Sequence, residues 1–504
     1  MKKLLFSFAA AILCVPAAAQ QYVVVNDELP IPASNVEKIT YEQNNEFHAC
    51  FLPNILAEDP NTQLFSQALK ETGLDKTLCN YIYEDYQAPD VLKYRYKLHS
   101  WGVIAWYNAE RYRMFTVFVE TDNVLAAQGI NSLDQLEAYA KQVYDETYPE
   151  DADVSDPTDP RNSLNRFVAY HILPFGCTYW YLTFYDGKIT DCLLDTEKAD
   201  IATWYATLMP HASLKCSYPM AGDESAVYLN RRGLKDGPDK YGMQVRGPKI
   251  VPDDSNHSDP FTQRAFNGYY FYIDRILTYD RTTQEMLGSE LWRVDFKALS
   301  PDIMNNADEL RGDAKKTIWD NDMTDVLHPY PDGRSFIYKW DSMENITGEN
   351  MDNDLIALRT SLVYAMYLGD DVAVQGDGGT LTIKLPPLPA GEWEIRLGFN
   401  TYSFQPTIKI YLNGQVTVES LNLSQPEENQ VMRASSDCRV YGGGGNLSEN
   451  PLCARCPLGR ILTDGKSDSY LKLEYMGNTD TELRLDYLEL VPKAVYDNKD
   501  IPEG

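Results

Sequence analysis

Beyond its first residues the chain contains no apolar run long enough to cross a bilayer as a helix. Positive charge is scarce: 45 Lys and Arg face 74 Asp and Glu, a formal net charge of −29 spread along the chain. That balance argues against nucleic acid or an anionic membrane surface as partner. The six histidines are scattered singly. There is no nucleophile elbow, HExxH, dinucleotide glycine pattern or kinase motif set. Gly442–Gly445 reads as a loop and not as a phosphate cradle, because no Gly-Lys-Ser/Thr follows it. A carboxylate pair for glycoside hydrolysis leaves no mark in sequence spacing. With no residue assigned even a first catalytic role, the chain reads as a non-enzyme that needs no metal or cofactor.

What is present fits a globular protein of two or three domains: 504 residues, 44% hydrophobic and 12% aromatic. Residues 1–19 read as an export signal, with Lys2-Lys3, an apolar segment over 4–15, and Ala17-Ala18-Ala19 before Gln20. A lipoprotein signal at Cys14 fits less well, because Leu13 stands where a small residue is wanted. Nine cysteines less Cys14 leave eight, an even number for an oxidising compartment. Cys177 with Cys192, and the cluster Cys438, Cys453 and Cys456, are the near-neighbour disulfide candidates. Zinc at Cys453-x-x-Cys456 fits poorly, since no histidine follows His328.

Taken in order, 20–45 is a polar lead-in with a strand-like YVVV. Residues 61–73 form a helix that Asn61 caps and Gly73 stops. Residues 94–106 alternate loosely, and 114–119 form a clearer strand with Phe115, Val117 and Val119 on one face. A helix follows at 132–144, opened by a Ser132/Gln135 capping box. The insertion 146–160 carries Asp151, Asp153, Asp156 and Asp159. It reads as a solvated loop, because Asp156 and Asn162 replace the glycine and bidentate Glu of a calcium loop. Residues 164–174 form a helix with Leu164, Phe167, Val168 and His171 on one stripe, ended by Pro174.

From about residue 315 short strands and turns take over. TLTIKL (380–385) is expected to be turned by PPLPAGE and to run back through WEIRLGF (393–399). Asn413-Gly414 is a strong hairpin signal. This is the texture of an antiparallel sandwich or jelly roll. Arg311-Gly312-Asp313 is a tripeptide without supporting context.

Three ordered blocks resemble the fasciclin domain, an adhesion and matrix module. They are Thr116-Val117-Phe118 with Thr121-Asp122; Tyr170-His171-Ile172-Leu173-Pro174; and Asn267-Gly268 with Ile273-Asp274 and Leu277. Glu120 departs from the family's usual proline, and Phe271 from its frequent histidine. The C-terminal segments 385–399 and 485–493 resemble the galactose-binding-like sandwich that accompanies bacterial fasciclin domains. With the export signal at 1–19, the resemblance implies a lead-in (20–45), α+β fasciclin-like domain (46–282), connector (283–314), all-β sandwich (315–498) and tail (499–504).

The export signal implies an exported protein of the periplasm, cell surface or extracellular space, for which association with the outer membrane is one expectation. Adhesion to protein or matrix-like material would run through Tyr170 and His171. The alternative is a glycan-binding accessory of a carbohydrate-capture system, acting through the sandwich. For that alternative, Trp393, Tyr402 and Tyr441 are the aromatic candidates. Against the functional reading of His171 stands a packing one, since it shares the apolar stripe and buried polar groups are normally paired.

Overall fold

The computed structural model describes residues 22–23, 31–32, 50–83, 93–94, 97–98, 101–102, 105–106, 112–179, 182, 201–218, 226–232, 247–252, 263–307, 337–339, 344–349, 355–360, 370–375, 378–401, 403–427, 429–431, 441–442, 446–447, 453–476 and 481–497. The export signal with Cys14, Cys192, the 311–313 tripeptide, Tyr402, Cys438 and the tail lie outside these residues, as does the side chain of Tyr441. The chain divides into two compact units, Met1–Ala49 and Cys50–Gly504. In the first, Tyr22–Val23 pairs antiparallel with Ile31–Pro32. Every other described element belongs to the second. Among the described residues no helix is long and apolar enough to cross a membrane.

The N-terminal part of the second unit is built on a four-stranded sheet. Its order is Gln263–Ala265, Gly268–Ile273, Phe115–Glu120, Ile172–Leu173. The two central strands are parallel, in register from Gly268 opposite Phe115 to Ile273 opposite Glu120. Phe115–Glu120 is buried at all six positions and not on one face only. A parallel strand covered on both sides loses the in/out alternation that marks a half-exposed one.

The surrounding helices start close to where the sequence places them. Leu133–Thr147 is capped by Ser132, whose hydroxyl accepts the Gln135 N–H, while the Gln135 side chain accepts the Asn131 N–H at 2.7 Å. Ser163–Tyr170 is capped by Asn162, which accepts the N–H groups of Leu164 and Asn165. Gln63–Glu71 differs from expectation. Asn61 does not cap it; the distant Asp122 carboxylate accepts the N–H of Gln63 at 3.2 Å and of Leu64 at 3.0 Å. Acids of the 146–160 insertion are engaged by protein groups: Asp151 with Arg166 at 2.6 Å, Asp156 with Thr158, Asp159 with Arg161.

The C-terminal part consists of antiparallel sheets. One has the order Trp292–Asp295, Tyr487–Pro492, Gly391–Asn400, Cys453–Thr463. A second comprises Ile337–Lys339, Leu355–Thr360, Asp370–Gln375 and Glu482–Leu485. A third has five strands, Ile346–Glu349, Gly379–Lys384, Tyr470–Met476, Thr407–Leu412 and Gln415–Asn422. Asn413 and Gly414 close the last hairpin with φ of 47° and 78°, as a type I′ turn requires.

Three expectations need correction. The PPLPAGE segment does not fold one strand back on the next. Gly379–Lys384 lies in the five-stranded sheet and Gly391–Asn400 in the first four-stranded sheet, so the prolines carry the chain between layers. The span 283–314 is not simply a connector either. It holds the helix Arg281–Leu287 in part, and the strand Trp292–Asp295 that pairs with Tyr487–Pro492. Trp292 stacks on Trp204 of the N-terminal part (5.9 Å between centroids) and meets Trp393 edge-on at 5.4 Å, so one core runs through both parts.

The short-range pair Cys453–Cys456 is the third correction, while the candidates that involve Cys192 or Cys438 lie outside the described residues. No disulfide joins any two described cysteines, and Cys50, Cys79 and Cys456 are free thiols. Positions 453 and 456 stand three residues apart in one regular strand, hence on opposite faces of the sheet. Burial pushes the Cys456 thiol up to about 12, so it is not a reactive group.

Candidate functional site

Tyr170 and His171, the residues the motif singles out, both lie in the core with no exposed surface. The Tyr170 hydroxyl donates to the Ser213 carbonyl at 3.0 Å and accepts from the Asn230 amide at 2.9 Å. Burial, with Tyr279 adjacent, holds that hydroxyl well above its ordinary pKa. His171 Nδ1 lies 2.7 Å from the Phe167 carbonyl, which can only accept, so Nδ1 carries a proton. Its Nε2 lies 2.8 Å from Glu120 Oε1, which also accepts the Leu277 N–H at 2.8 Å. Both side chains are tied to the surrounding elements and neither offers an atom to a ligand. The binding role assigned to them is therefore corrected to a packing one. Glu120 completes the clamp.

An accessible polar cleft lies elsewhere. It is a shallow depression with interior room for about one water molecule, where the proline crossing, Leu385 to Leu388, meets the loop 463–469 and the turn carrying His211. Local chemistry fixes each wall. His211 sits in the left-handed region with φ of 57°. Ser213 donates to the Pro387 carbonyl at 2.8 Å and holds the crossing in place. Asp464 accepts the N–H groups of Lys466 and Ser467 (2.8 and 2.7 Å) and the Ser467 hydroxyl (2.9 Å), which closes the loop as an Asx turn. Those bonds, the Lys466 backbone N–H first, lower the Asp464 carboxyl pKa.

At the mouth stands Asp468. Its Oδ1 lies 3.0 Å from Lys384 Nζ and 3.7 Å from His211 Nδ1, and all three side chains are about one-third exposed. A carboxylate, an ammonium and an imidazole thus converge without being buried. Lys466 is paired with Glu150, a second tie between this loop and the N-terminal part.

The cleft opens onto the outer face of the five-stranded sheet. Lys384 is opposite Tyr470, Thr382 opposite Lys472, and Lys472 opposite Tyr411 in turn. Tyr470 is 42% exposed. Tyr411 lies between Lys409 and Lys472, whose ammonium groups are 5.6 and 5.8 Å from its ring centre, and its hydroxyl donates to Glu474 at 2.5 Å.

None of these residues was singled out from sequence. The alternation in 470–476 carries the signal for the face, since Tyr470, Lys472 and Glu474 share one side of a strand. Nothing in sequence joins His211 to Asp468. Of the aromatic candidates, Trp393 is buried, with its indole N–H donated to the Pro389 carbonyl at 3.0 Å. Among the described residues no group of His, Cys, Asp and Glu is arranged to hold a metal ion.

No family model matches the chain, and no curated protein matches it. Solved structures that overlap it include a family 35 carbohydrate-binding module from Clostridium thermocellum (10% identity, 31% of this chain and 96% of that one, TM-score 0.15). Another is the CBM36-1 domain of a multidomain xylanase from the hindgut metagenome of Trinervitermes trinervoides (13% identity, 31% and 95%, TM-score 0.16). A third is a Paenibacillus xanthan lyase (9% identity, 31% of this chain, TM-score 0.21), of whose length the chain spans 13%. Likenesses this slight carry no argument about the fold or chemistry of this chain.

Proposed function

We propose that the protein is an exported, non-enzymatic glycan-binding component of the cell envelope, its N-terminal part fasciclin-like, and that it holds a sugar against the surface at the mouth of the Asp468 cleft. The observation that carries this reading is the mouth of the cleft. Asp468 supplies acceptor oxygens, Lys384 supplies donors, and Tyr470 presents an exposed ring beside them. Paired donors and acceptors suit vicinal hydroxyls, and an exposed aromatic face suits the apolar side of a pyranose. The fasciclin resemblance is supported by its three motifs meeting on one sheet, with Phe115–Glu120 and Gly268–Ile273 paired in parallel and Ile172–Leu173 alongside. An adhesive role for Tyr170 and His171 draws no such support, because both are buried.

The test is a glycan array with the mature full-length chain, followed by calorimetric titration of the ligands retained. Asp468→Ala and Tyr470→Ala are each expected to weaken binding about 10-fold or more, the effect of losing a charge-assisted contact of roughly 1.5–3 kcal/mol or a stacking face. Both variants should keep the parent circular-dichroism spectrum. Unchanged Kd values in both would sink the proposal.

A further inference from the structure

The glycan reading says nothing about the size or charge of the ligand, and the sheet face beyond the cleft bears on both. We infer that the ligand is an uncharged oligosaccharide that crosses the strands from the Asp468 cleft to a second stacking position at Tyr411. The inference rests on the cleft reading and extends it.

Two observations carry it. The first is placement. Tyr470 lies beside Asp468 at the cleft mouth, its hydroxyl 3.5 Å from Asp468 Oδ2; two residues further along the same strand, Lys472 stands opposite Tyr411. The two tyrosines therefore project from the same face at a diagonal, one strand apart. Two residues of rise and one strand spacing set them about 8 Å apart, a separation on the scale of neighbouring sugar rings. Tyr411 is oriented for the purpose: its hydroxyl is held by Glu474, and Thr382 and Val416 occupy its row on either side.

The second is charge. Lysines on this face meet carboxylates: Lys384 lies 3.0 Å from Asp468 and Lys409 2.7 Å from Glu419, while Glu474 stands opposite Lys409 and two residues from Lys472 on the same side of its own strand. Glu349 closes the same row beyond Thr380. Three lysines thus face four carboxylates, on a chain of net charge −29. A polyanionic glycan needs uncompensated cations and would be repelled by the surrounding field. A neutral chain can use these fixed dipoles as donors and acceptors at no charge cost.

The experiment titrates the full mature chain with xylo-, manno- and cello-oligosaccharides from one to six residues long, and with oligogalacturonate as an acidic counterpart. At least one neutral series is expected to bind more tightly as it lengthens, with Kd changing less than about threefold between 50 and 500 mM salt. Tyr411→Ala should weaken the longer members about 10-fold and leave the shortest binding member unchanged, whereas Asp468→Ala weakens all lengths. Tyr411→Phe, which keeps the ring, should retain the long-chain affinity. A Tyr411→Ala variant indistinguishable from the parent at every length, or tighter and steeply salt-dependent binding of oligogalacturonate, overturns the inference while leaving the cleft reading standing. Absence of binding by every sugar overturns both.

Discussion

Glu120 shows how a buried carboxylate is absorbed into a core. The carboxyl group stands at the end of a buried strand, and it is accommodated because it is hydrogen-bonded to the His171 ring at the end of one helix and accepts the Leu277 N–H from a distant loop. Removing one member of such a buried pair strands the other. Glu120→Ala is expected to destabilise the fold by about 3–5 kcal/mol in urea unfolding, with glycan affinity in the native baseline unchanged; a loss under about 1 kcal/mol would dismiss the clamp. Glu489 belongs to the same scale. Burial alone would raise its carboxyl pKa, but Arg293, Arg455 and Arg396 around it outweigh that, and the net shift is downward from 4.5. A carboxyl depressed in the folded state stabilises fully above its unfolded pKa. That contribution fades as pH falls through the ordinary carboxylate range and on through the folded value. Thermal melts should therefore be level from pH 7 to about 5.5 and decline below. Glu489→Gln should lower the plateau and flatten the acid limb, and an unaltered limb would show that other carboxyls set acid stability.

Among the elements, the parallel pair at the centre of the N-terminal sheet is the least forgiving. Gly268 has φ of 152°, and a Cβ built there would lie 2.0 Å from the Phe115 carbonyl oxygen. Any side chain must push the two strands apart, and a parallel pair has no tight turn to re-register it. Gly268→Ala is expected to cost about 2–4 kcal/mol, from overpacking of about 1–3 kcal/mol plus backbone strain of about 1 kcal/mol. Chemical denaturation checks this, and amide exchange should show the loss spreading to Phe115–Glu120. A near-neutral substitution would mean that the strands can shift. The proline crossing teaches a related lesson. Alternating strands on both sides of PPLPAGE suit a hairpin equally well, and only the partners Tyr470–Met476 and Cys453–Thr463 place those strands in separate sheets.

For the whole molecule, the tryptophan contact Trp204–Trp292–Trp393 decides how the second unit behaves. Its N-terminal and C-terminal parts share a core, so they should unfold together. Trp292→Ala is expected to lower stability by about 3–5 kcal/mol and to move a single calorimetric transition, not one of two. A chain truncated to begin at Lys315 loses Trp292–Asp295, which leaves the Tyr487–Pro492 edge unpaired. It should be protease-sensitive and prone to associate. A stable, monomeric product of that truncation would show the sandwich to be independent.

Much of the local structure was legible in the residues. Ser132 with Gln135 and Asn413-Gly414 act within a few positions, through capping and turn geometry, and each is found in place, whereas the helix read over 164–174 ends at Tyr170, is buried all round and gives way to the strand Ile172–Leu173. The even charge distribution and the scarcity of catalytic motifs were legible in the same way. What only the tertiary structure decided depends on residues far apart in the chain: Asp122 capping a helix that begins at Gln63, Glu120 closing on His171, Trp292 joining two halves, and His211 meeting Lys384 and Asp468. Periodicity says which face of an element is apolar. It does not say which other element covers that face, because many partners bury similar area. That choice is made by the packing of the whole chain, and it places Tyr170 and His171 in the core while leaving Asp468 and Tyr470 at the surface.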